Sequence, residues 1–209
     1  LDALKKIRRP VIYTPGDNEW ADCYQLGAFH PLDRLERIRR TFFANPSTSV
    51  AGPPMSVESQ SANSAWKEFV ENVRWRRGGF LFVTAHMIGS FNGTKHFRGR
   101  TGADDSAVVR RTAAALHWLD TAFAIAKADS LRGVVIAIHG DPHFGREGDR
   151  GPYASFVAKL SELTRGYRGK VLLIHGDSHE YTLDHPLEGL ENFTRLETFG
   201  SPDIGWVKV

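Results

Sequence analysis

The sequence predicts an α/β fold whose strands end in polar residues. Residues 133–139 and 170–175 are short apolar runs. Each ends in Ile-His and is followed directly by Gly-Asp. A third run, residues 10–15, is followed directly by Gly16-Asp17. Short apolar runs bounded by turn residues are typical of buried strands, often parallel ones. In an open α/β sheet, sites form just beyond the carboxyl ends of such strands.

The first half of the chain alternates strand and helix signals. After the run at 10–15, residues 31–42 place Leu32, Leu35, Ile38 and Phe42 near helical spacing, with Pro31 suited to the first turn. Residues 44–64 are rich in Ser, Pro, Asn and Gly and indicate a long loop. Residues 69–75 and 80–86 flank a Gly-containing turn and predict a β-hairpin.

The second half continues the alternation. Asp104 or Asp105 is a candidate cap for an Ala-rich helix that runs to about residue 128. The strand to His139, a helix over 152–167 and the strand to His175 follow, and three stretches of antiparallel strand are expected in the tail, at 180–183, 192–199 and 205–209. This order of elements predicts a layered α/β sandwich.

Composition limits the classes of function. The 209 residues suit one domain spanning 1–209, and the net charge of +3 is too small to indicate nucleic-acid binding. No apolar run approaches the roughly 20 residues of a membrane span, so neither a nucleic acid nor a membrane is expected as a partner. Cys23 has no second cysteine in the chain; it suits either a buried apolar position or a disulfide to an upstream cysteine, which would favour an exported or periplasmic protein.

The polar residues at the strand ends indicate a metal site. Asp17, His139, Asp177 and His179 combine imidazoles with carboxylates, the donors that Mn, Fe, Zn or Mg accept in proteins. Taken singly, each residue has a structural alternative: Asp17 as a turn-forming residue, Asp177-Ser178 as a tight turn, and either His as a packing residue. The prediction rests on three strand-end clusters that occur in one order.

That order resembles the calcineurin-like metallophosphoesterases, which include the purple acid phosphatases. The segment TPGDNEW is similar to the family's Gly-Asn-His block, VVIAIHGDP to its lone-His block, and LLIHGDSHEY to its final Gly-His-x-His block. The resemblance implies a layered α/β/β/α sandwich without its first strands, with the hairpin at 69–86 in the second strand layer. It also implies two divalent metal ions in the complete protein and a phosphate ester as substrate.

The resemblance also implies roles for particular residues. Asp17 stands at a metal-binding Asn, His139 at the lone metal His, and Asp177 and His179 at the two His of the last block. Asn18 stands at the catalytic His, although an amide donates a hydrogen bond without acting as a general acid. The family's first two blocks would precede residue 1, so we expect weak metal binding and little activity from this chain alone.

Two further residues are candidates for substrate binding. His175 directly precedes the last block, and Arg146 lies in the Gly-rich loop after His139, where a guanidinium can hold phosphate oxygens. The leading interpretation is a phosphoesterase that hydrolyses a phosphate ester through metal-activated water. The alternative is an impaired pseudoenzyme that uses the same fold as a binding module. A serine hydrolase built on Ser178 ranks below both because no Gly-x-Ser-x-Gly elbow is present.

Overall fold

The fold is a mixed α/β structure around one seven-stranded sheet. The structure, a computed structural model, describes residues 4, 6–27, 29–145, 150–203 and 205–209. The strands are β1 (Glu58–Ser59), β2 (Val73–Arg77), β3 (Phe80–Thr84), β4 (Gly133–Ala137), β5 (Lys170–His175), β6 (Thr182–Asp184) and β7 (Phe193–Glu197). They lie in the order β1-β2-β3-β4-β5-β7-β6.

The centre of the sheet is parallel and its edges are antiparallel. Strands β3, β4, β5 and β7 run in one direction, with Phe82 opposite Val135 and His175 opposite Glu197. The predicted hairpin forms between β2 and β3, and β6 returns antiparallel to β7. The carboxyl ends of the four parallel strands therefore meet at one edge of the sheet, where ligand sites of open α/β sheets are found.

The described part of the chain contains four α-helices: α1 (Pro31–Phe42), which precedes the strands, and α2 (Gly89–Gly93), α3 (Gly102–Ala128) and α4 (Ala154–Arg165), which connect them. Helix α3 begins at a capping box, in which Thr101 caps the helix and the Asp104 carboxylate accepts from the Thr101 backbone N–H at 2.8 Å. Helix α2 is a single turn with left-handed backbone angles. None of the described helices is long and apolar enough to cross a membrane.

The main core lies between one face of the sheet and helices α3 and α4. Alternate strand residues such as Leu81, Ile136 and Leu173 point to this face and are almost fully buried. Helix α3 contributes the stripe Ala115, Leu119, Ala122, Phe123 and Ala126, and α4 contributes Phe156, Val157 and Leu160. Because side chains alternate along a strand, the intervening residues point to the opposite face.

That opposite face is apolar and only partly covered. It forms a groove of about 870 Å³ lined by residues of four parallel strands and of the chain ends, among them Phe82, Val135, Leu172, Ile174, Leu196, Ile12 and Val207. Leu183 and Tyr181 at its rim are 59% and 56% exposed. Strands of a parallel sheet are ordinarily covered on both faces, so this groove is an unusual surface.

The structure corrects four sequence predictions. Residues 10–15 join no strand of the sheet and make only the isolated bridge between Val11 and Ala51, because prolines at positions 10 and 15 lack the N–H that a sheet ladder needs. Residues 205–209 form no strand either. Strand β7 is parallel to β5, not antiparallel. The hairpin extends the one sheet that the described residues form, so it is not a second strand layer.

Candidate metal centre

Three of the predicted ligands meet at the carboxyl edge of the sheet. Asp17, His139 and Asp177 each offer a donor atom, and these atoms lie within 4.8 Å of one another. The shortest contact between an imidazole nitrogen and a carboxylate oxygen is 3.7 Å, from His139 Nε2 to Asp17 Oδ1. Asp17 is 122 positions from His139, and His139 is 38 positions from Asp177, so the fold and not local sequence brings them together.

Asp17 is held by a tight turn over residues 16–22. Its carbonyl oxygen accepts from the backbone N–H groups of Trp20 at 3.1 Å and Asp22 at 3.0 Å. The Trp20 side chain is 4% exposed and anchors the turn in a second hydrophobic cluster with helix α1. The Asp17 carboxylate is itself buried, with 8% of its side chain exposed, so its charge has little access to water.

His139 continues from β4 and is fixed by backbone and ring contacts. Its N–H donates to the Met87 carbonyl at 3.0 Å, and its own carbonyl accepts from Gly176 at 3.1 Å. The Gly89 N–H donates to the ring Nδ1 at 3.2 Å. In the neutral imidazole the proton must then lie on Nε2, facing Asp17. Cation binding through Nε2 requires the opposite tautomer, so Gly89 has to release this hydrogen bond.

Asp177 follows β5 and lies in an unfavourable setting for a carboxylate. Its backbone has a φ of 81°, a left-handed conformation that few non-glycine residues adopt. Burial raises the pKa of the Asp177 carboxyl, and the negative charge of Asp17 raises it further, against a smaller opposing effect of His139. Two carboxylates held together in this way favour a cation between them.

Helix α2 stores backbone strain beside the cluster. Ser90, Phe91 and Asn92 have φ values of 53°, 52° and 53°, and Gly93 follows at 74°. Left-handed turns cost about 1–2 kcal/mol per non-glycine residue, so the surrounding structure must hold this one in place. Tyr153 does so from the core: its hydroxyl accepts from the Asn92 N–H at 3.0 Å and donates to the Ile88 carbonyl.

Positive φ values concentrate around this site. Seven described residues other than glycine have them: Ser90, Phe91, Asn92, Ser130, His143, Asp177 and His179. All except Ser130 lie in the loops that follow the parallel strands. Strained backbone of this kind clusters at functional sites, where it positions reactive groups.

Gly89 leaves the space between the two carboxylates open. A Cβ at this position would lie 2.3 Å from Asp177 Oδ1 and 2.5 Å from Asp17 Oδ2. Gly16 approaches the third ligand in the same way, since its Cβ would lie 2.6 Å from His139 Nε2. Glycine is therefore required at both positions by close approach to the donor atoms.

Ser90 connects Asp17 to a third acidic residue, Asp22. The Ser90 hydroxyl oxygen lies 2.9 Å from Asp17 Oδ2 and 2.8 Å from Asp22 Oδ1. A hydroxyl has one proton, so it can donate to only one of these oxygens. The other contact needs a second proton on a carboxyl group or a cation nearby. Asp22 is thus part of the site.

The other predicted site residues do not join the cluster. Asn18 is exposed, and its backbone N–H donates to Asp17 Oδ1 at 2.9 Å. His179 is exposed too, and its Nδ1 lies 2.9 Å from the Ser201 carbonyl oxygen, so it stands outside the donor group of Asp17. His175 is 2% exposed and lies outside the Asp17 donor group. Arg146 lies outside the described residues.

Sequence reasoning missed Gly89, Ser90 and Asp22. Gly89 and Ser90 follow strand β3 without the His-Gly-Asp pattern that marks the ends of β4 and β5. In this segment only the pair Asn92-Gly93 indicates a left-handed turn. Asp22 lies five residues after Asp17 in a polar turn, where an acidic side chain is ordinary. The contact of both with Ser90 appears only in three dimensions.

Comparison of the chain with known proteins gives no match to a family model, to a curated protein or to a solved structure. The residues of the site and their geometry are therefore the basis for assigning a function.

Proposed function

We propose that this protein is a metal-dependent phosphoesterase of the calcineurin-like type, which hydrolyses a phosphate ester with metal-activated water. The observation that carries the proposal is the convergence of Asp17, His139 and Asp177 at the carboxyl edge of the sheet. Two carboxylates and one imidazole are suitable donors for Mn²⁺, Fe²⁺, Zn²⁺ or Mg²⁺. A bound divalent ion supplies a water of lowered pKa and offsets the charge of a phosphoryl group.

The residues of the chain fit this role with one required movement. Asp17 and Asp177 present carboxylate oxygens to a common space, and Gly89 keeps that space free of side-chain atoms. His139 contributes Nε2 once the Gly89 N–H no longer donates to its Nδ1. We therefore expect cation binding to shift the start of the α2 turn at Gly89, next to the residues with left-handed backbone angles.

We assign to Ser90 and Asp22 the supply of a proton to the leaving group. Hydrolysis of an ester needs a proton for the leaving alkoxide, and Asn18 has an amide that cannot release one. The Ser90 hydroxyl oxygen lies 2.8 Å from Asp22 Oδ1 and 2.9 Å from Asp17 Oδ2, so the Asp22 carboxyl group stands beside the cluster. Asp22 is accordingly the acid that we assign to the leaving group.

The uncovered face of the sheet agrees with the layered sandwich that the resemblance implies. In that architecture a second sheet packs against the first, about 10 Å away. The apolar groove over β3, β4, β5 and β7 has the chemistry of such an interface. We therefore propose the layered sandwich as the architecture of this protein.

Metal binding by the 209-residue chain is the first test. After treatment with a chelator, the chain is titrated with Mn²⁺ and with Zn²⁺ by calorimetry. Asp17→Asn and His139→Ala should weaken binding by about 100-fold or more, as expected when a ligand is lost. His96→Ala is the matched control, because His96 is exposed and remote from the cluster. Equal affinity in all four proteins would refute the site.

Hydrolysis by the metal-loaded protein is the second test. We expect turnover of p-nitrophenyl phosphate that is lost with the chelator and restored by Mn²⁺ or Zn²⁺. Asp22→Asn should slow an alkyl phosphate much more than p-nitrophenyl phosphate, whose leaving group needs little protonation. Metal binding without any phosphate-ester hydrolysis would reject the enzymatic proposal.

A binding module is the second candidate function, and Asn18 is the observation that favours it. Asn18 occupies the position at which the resembled family has its catalytic histidine, and its exposed side chain cannot donate a proton to a leaving group. A module of this kind would bind a metal ion and a phosphorylated ligand without turnover. Retention of p-nitrophenyl phosphate with intact ester on the metal-loaded protein would support it.

A further inference from the structure

A second group of metal-type donors lies next to the first at the same edge of the sheet. It consists of Asp141, His175 and Glu197, whose donor atoms lie within 4.8 Å of one another. His175 and Glu197 are direct partners in the parallel register of β5 and β7, and Asp141 lies in the loop after β4. The resemblance assigns a metal to none of these three residues.

The buried imidazole of His175 lacks a partner. Its ring is 2% exposed, and its Nε2 has no hydrogen-bond partner among the described residues. Its Nδ1 lies 3.2 Å from the Gly176 carbonyl oxygen and 3.9 Å from Glu197 Oε1. A neutral ring that donates from Nδ1 leaves the Nε2 lone pair unmatched; the other tautomer sets the Nδ1 lone pair against oxygen lone pairs. Neither tautomer is satisfied.

The two carboxylates lie close together with only partial charge partners. Ser178 donates to Glu197 Oε1, while Arg195 lies 3.7 Å from Oε2 and makes its close contacts with Asp184 instead. His143 Nδ1 lies 3.1 Å from Asp141 Oδ2. Because the donor oxygens of Asp141 and Glu197 lie within 4.8 Å of each other, a cation between them would remove their repulsion.

An unpartnered buried nitrogen is not sufficient by itself. His86 also has an Nε2 without a partner among the described residues, and it is 1% exposed. The Trp20 ring, however, lies 5.6 Å from the His86 ring, and His86 belongs to no donor group of the described chain. His175 differs because two carboxylates converge on it.

We propose that Asp141, His175 and Glu197 form a second divalent-cation site, distinct from the Asp17, His139 and Asp177 cluster. One imidazole and two carboxylates suit Mn²⁺ or Zn²⁺. The two sites are adjacent, since Asp141 and Asp177 follow the neighbouring parallel strands β4 and β5 at the same edge of the sheet. This site does not rest on the phosphoesterase proposal: it would bind a cation whether or not the protein hydrolyses an ester.

The test counts ions per chain. The chelator-treated chain is dialysed against Mn²⁺ or Zn²⁺, and bound metal is measured by elemental analysis. We expect two ions in the unchanged chain and one in Glu197→Gln and in Asp141→Asn. Asp141 is in a loop, so Asp141→Asn tests the site if the buried Glu197→Gln fails to fold by circular dichroism. Glu188→Gln, an exposed change, should keep two ions.

A second measurement locates the ion. Substoichiometric Mn²⁺ should broaden the imidazole NMR signals of His175 in Asp17→Asn, where only the second site remains, and should spare those of His96. If the unchanged chain binds one ion, and this ion is lost in Asp17→Asn but kept in Glu197→Gln, the second site is refuted and the proposed function stands. One ion with the reverse pattern would support the second site and reject the first. A chain that binds no ion refutes both.

Discussion

Two groups of histidine and carboxylate in this molecule, those of Glu71 and of Asp17, differ in charge balance. In the first, Glu71 accepts from Arg39 at 2.6 and 3.0 Å and pairs with His86 Nδ1 at 2.7 Å. In the second, Asp17 and Asp177 share one imidazole, His139, and no guanidinium of the described residues pairs with them. The charge of Glu71 is therefore offset by Arg39, whereas two carboxylates share a single imidazole in the Asp17 group.

The pKa values follow the same division. Burial would raise the pKa of Glu71, but Arg39 and His86 overcome it and lower the value to about 2. Burial raises the pKa of Asp177, and the neighbouring Asp17 adds to the increase. A carboxylate with a lowered pKa stabilises the folded chain as an anion, while one with a raised pKa favours a proton or a metal ion.

The backbone follows this division too. His86 follows strand β3, has no left-handed φ, and its N–H donates to Asn72 Oδ1 at 2.8 Å. Asp177 and the α2 turn adopt left-handed angles. The two groups therefore differ in backbone conformation as well as in charge balance.

Removing Glu71 should have the largest effect on stability. Glu71→Gln leaves Arg39 and His86 without their shared anion in a buried place, so we expect a loss of about 3–5 kcal/mol in the free energy of unfolding. Urea denaturation measures it. Glu68→Gln, which breaks the surface pair with Arg110, is the control and should cost about 0.5 kcal/mol. A loss for Glu71→Gln as small as that of the control would show that the Glu71 group does not stabilise the fold more than a surface ion pair does.

Filling the space at Gly89 should weaken cation binding, though by less than the loss of a ligand. In Gly89→Ala the new Cβ would press on Asp177 Oδ1 and Asp17 Oδ2, at 2.3 and 2.5 Å, so binding of Mn²⁺ should fall about 10- to 100-fold. Calorimetry measures the affinity. Gly102→Ala is the control, since its Cβ meets nothing within 4 Å. Unchanged affinity in Gly89→Ala would move the ion away from these carboxylates.

Acid should destabilise the metal-free chain through the Glu71 group. Burial lowers the pKa of His86 from 6.5 to about 4, and the pKa of Glu71 is lowered from 4.5 to about 2. The unfolded chain thus takes up both protons at higher pH than the folded chain. Stability is full above pH 6.5 and falls as the pH decreases, by about 1.4 kcal/mol per pH unit for each proton at the steepest point.

Urea midpoints between pH 7 and pH 4 check this prediction. In Glu71→Gln the carboxylate is gone, and with it the contribution of Glu71 to the pH dependence of the free energy of unfolding. His86 loses the partner that favours its charged form, so burial keeps its pKa low. The slope below pH 5 should therefore be shallower in the variant than in the unchanged chain. A steeper slope in the variant would contradict the assignment.

The central strands and long helices could be predicted because their signals are local. Apolar runs defined β4 and β5, the Gly-containing turn defined the hairpin, and the Ala-rich stretch defined α3. The strand at 10–15 failed because its prolines remove ladder donors, and the direction of β7 depends on a partner that the run itself does not specify.

The site was predictable only in part, for a related reason. Strand ends deliver His139 and Asp177 to one edge, and this follows from the parallel sheet. The position of His179 depends on its own φ of 67° and on its contact with Ser201, which no strand pattern encodes. The left-handed α2 turn depends on tertiary hydrogen bonds, such as those of Tyr153, so its role was invisible in the sequence.

Removing one charge from the Asp17 cluster should have the smallest effect, but with the opposite sign from Glu71. Asp177→Asn keeps a residue that tolerates left-handed φ and removes the repulsion with Asp17. The metal-free chain should gain about 0.5–1 kcal/mol, as expected when a destabilised functional site is relaxed. Thermal unfolding in a chelator measures it, with the exposed Asp203→Asn as the control. Destabilisation by Asp177→Asn would mean that this carboxylate, like Glu71, stabilises the fold, and the contrast between the two groups would disappear.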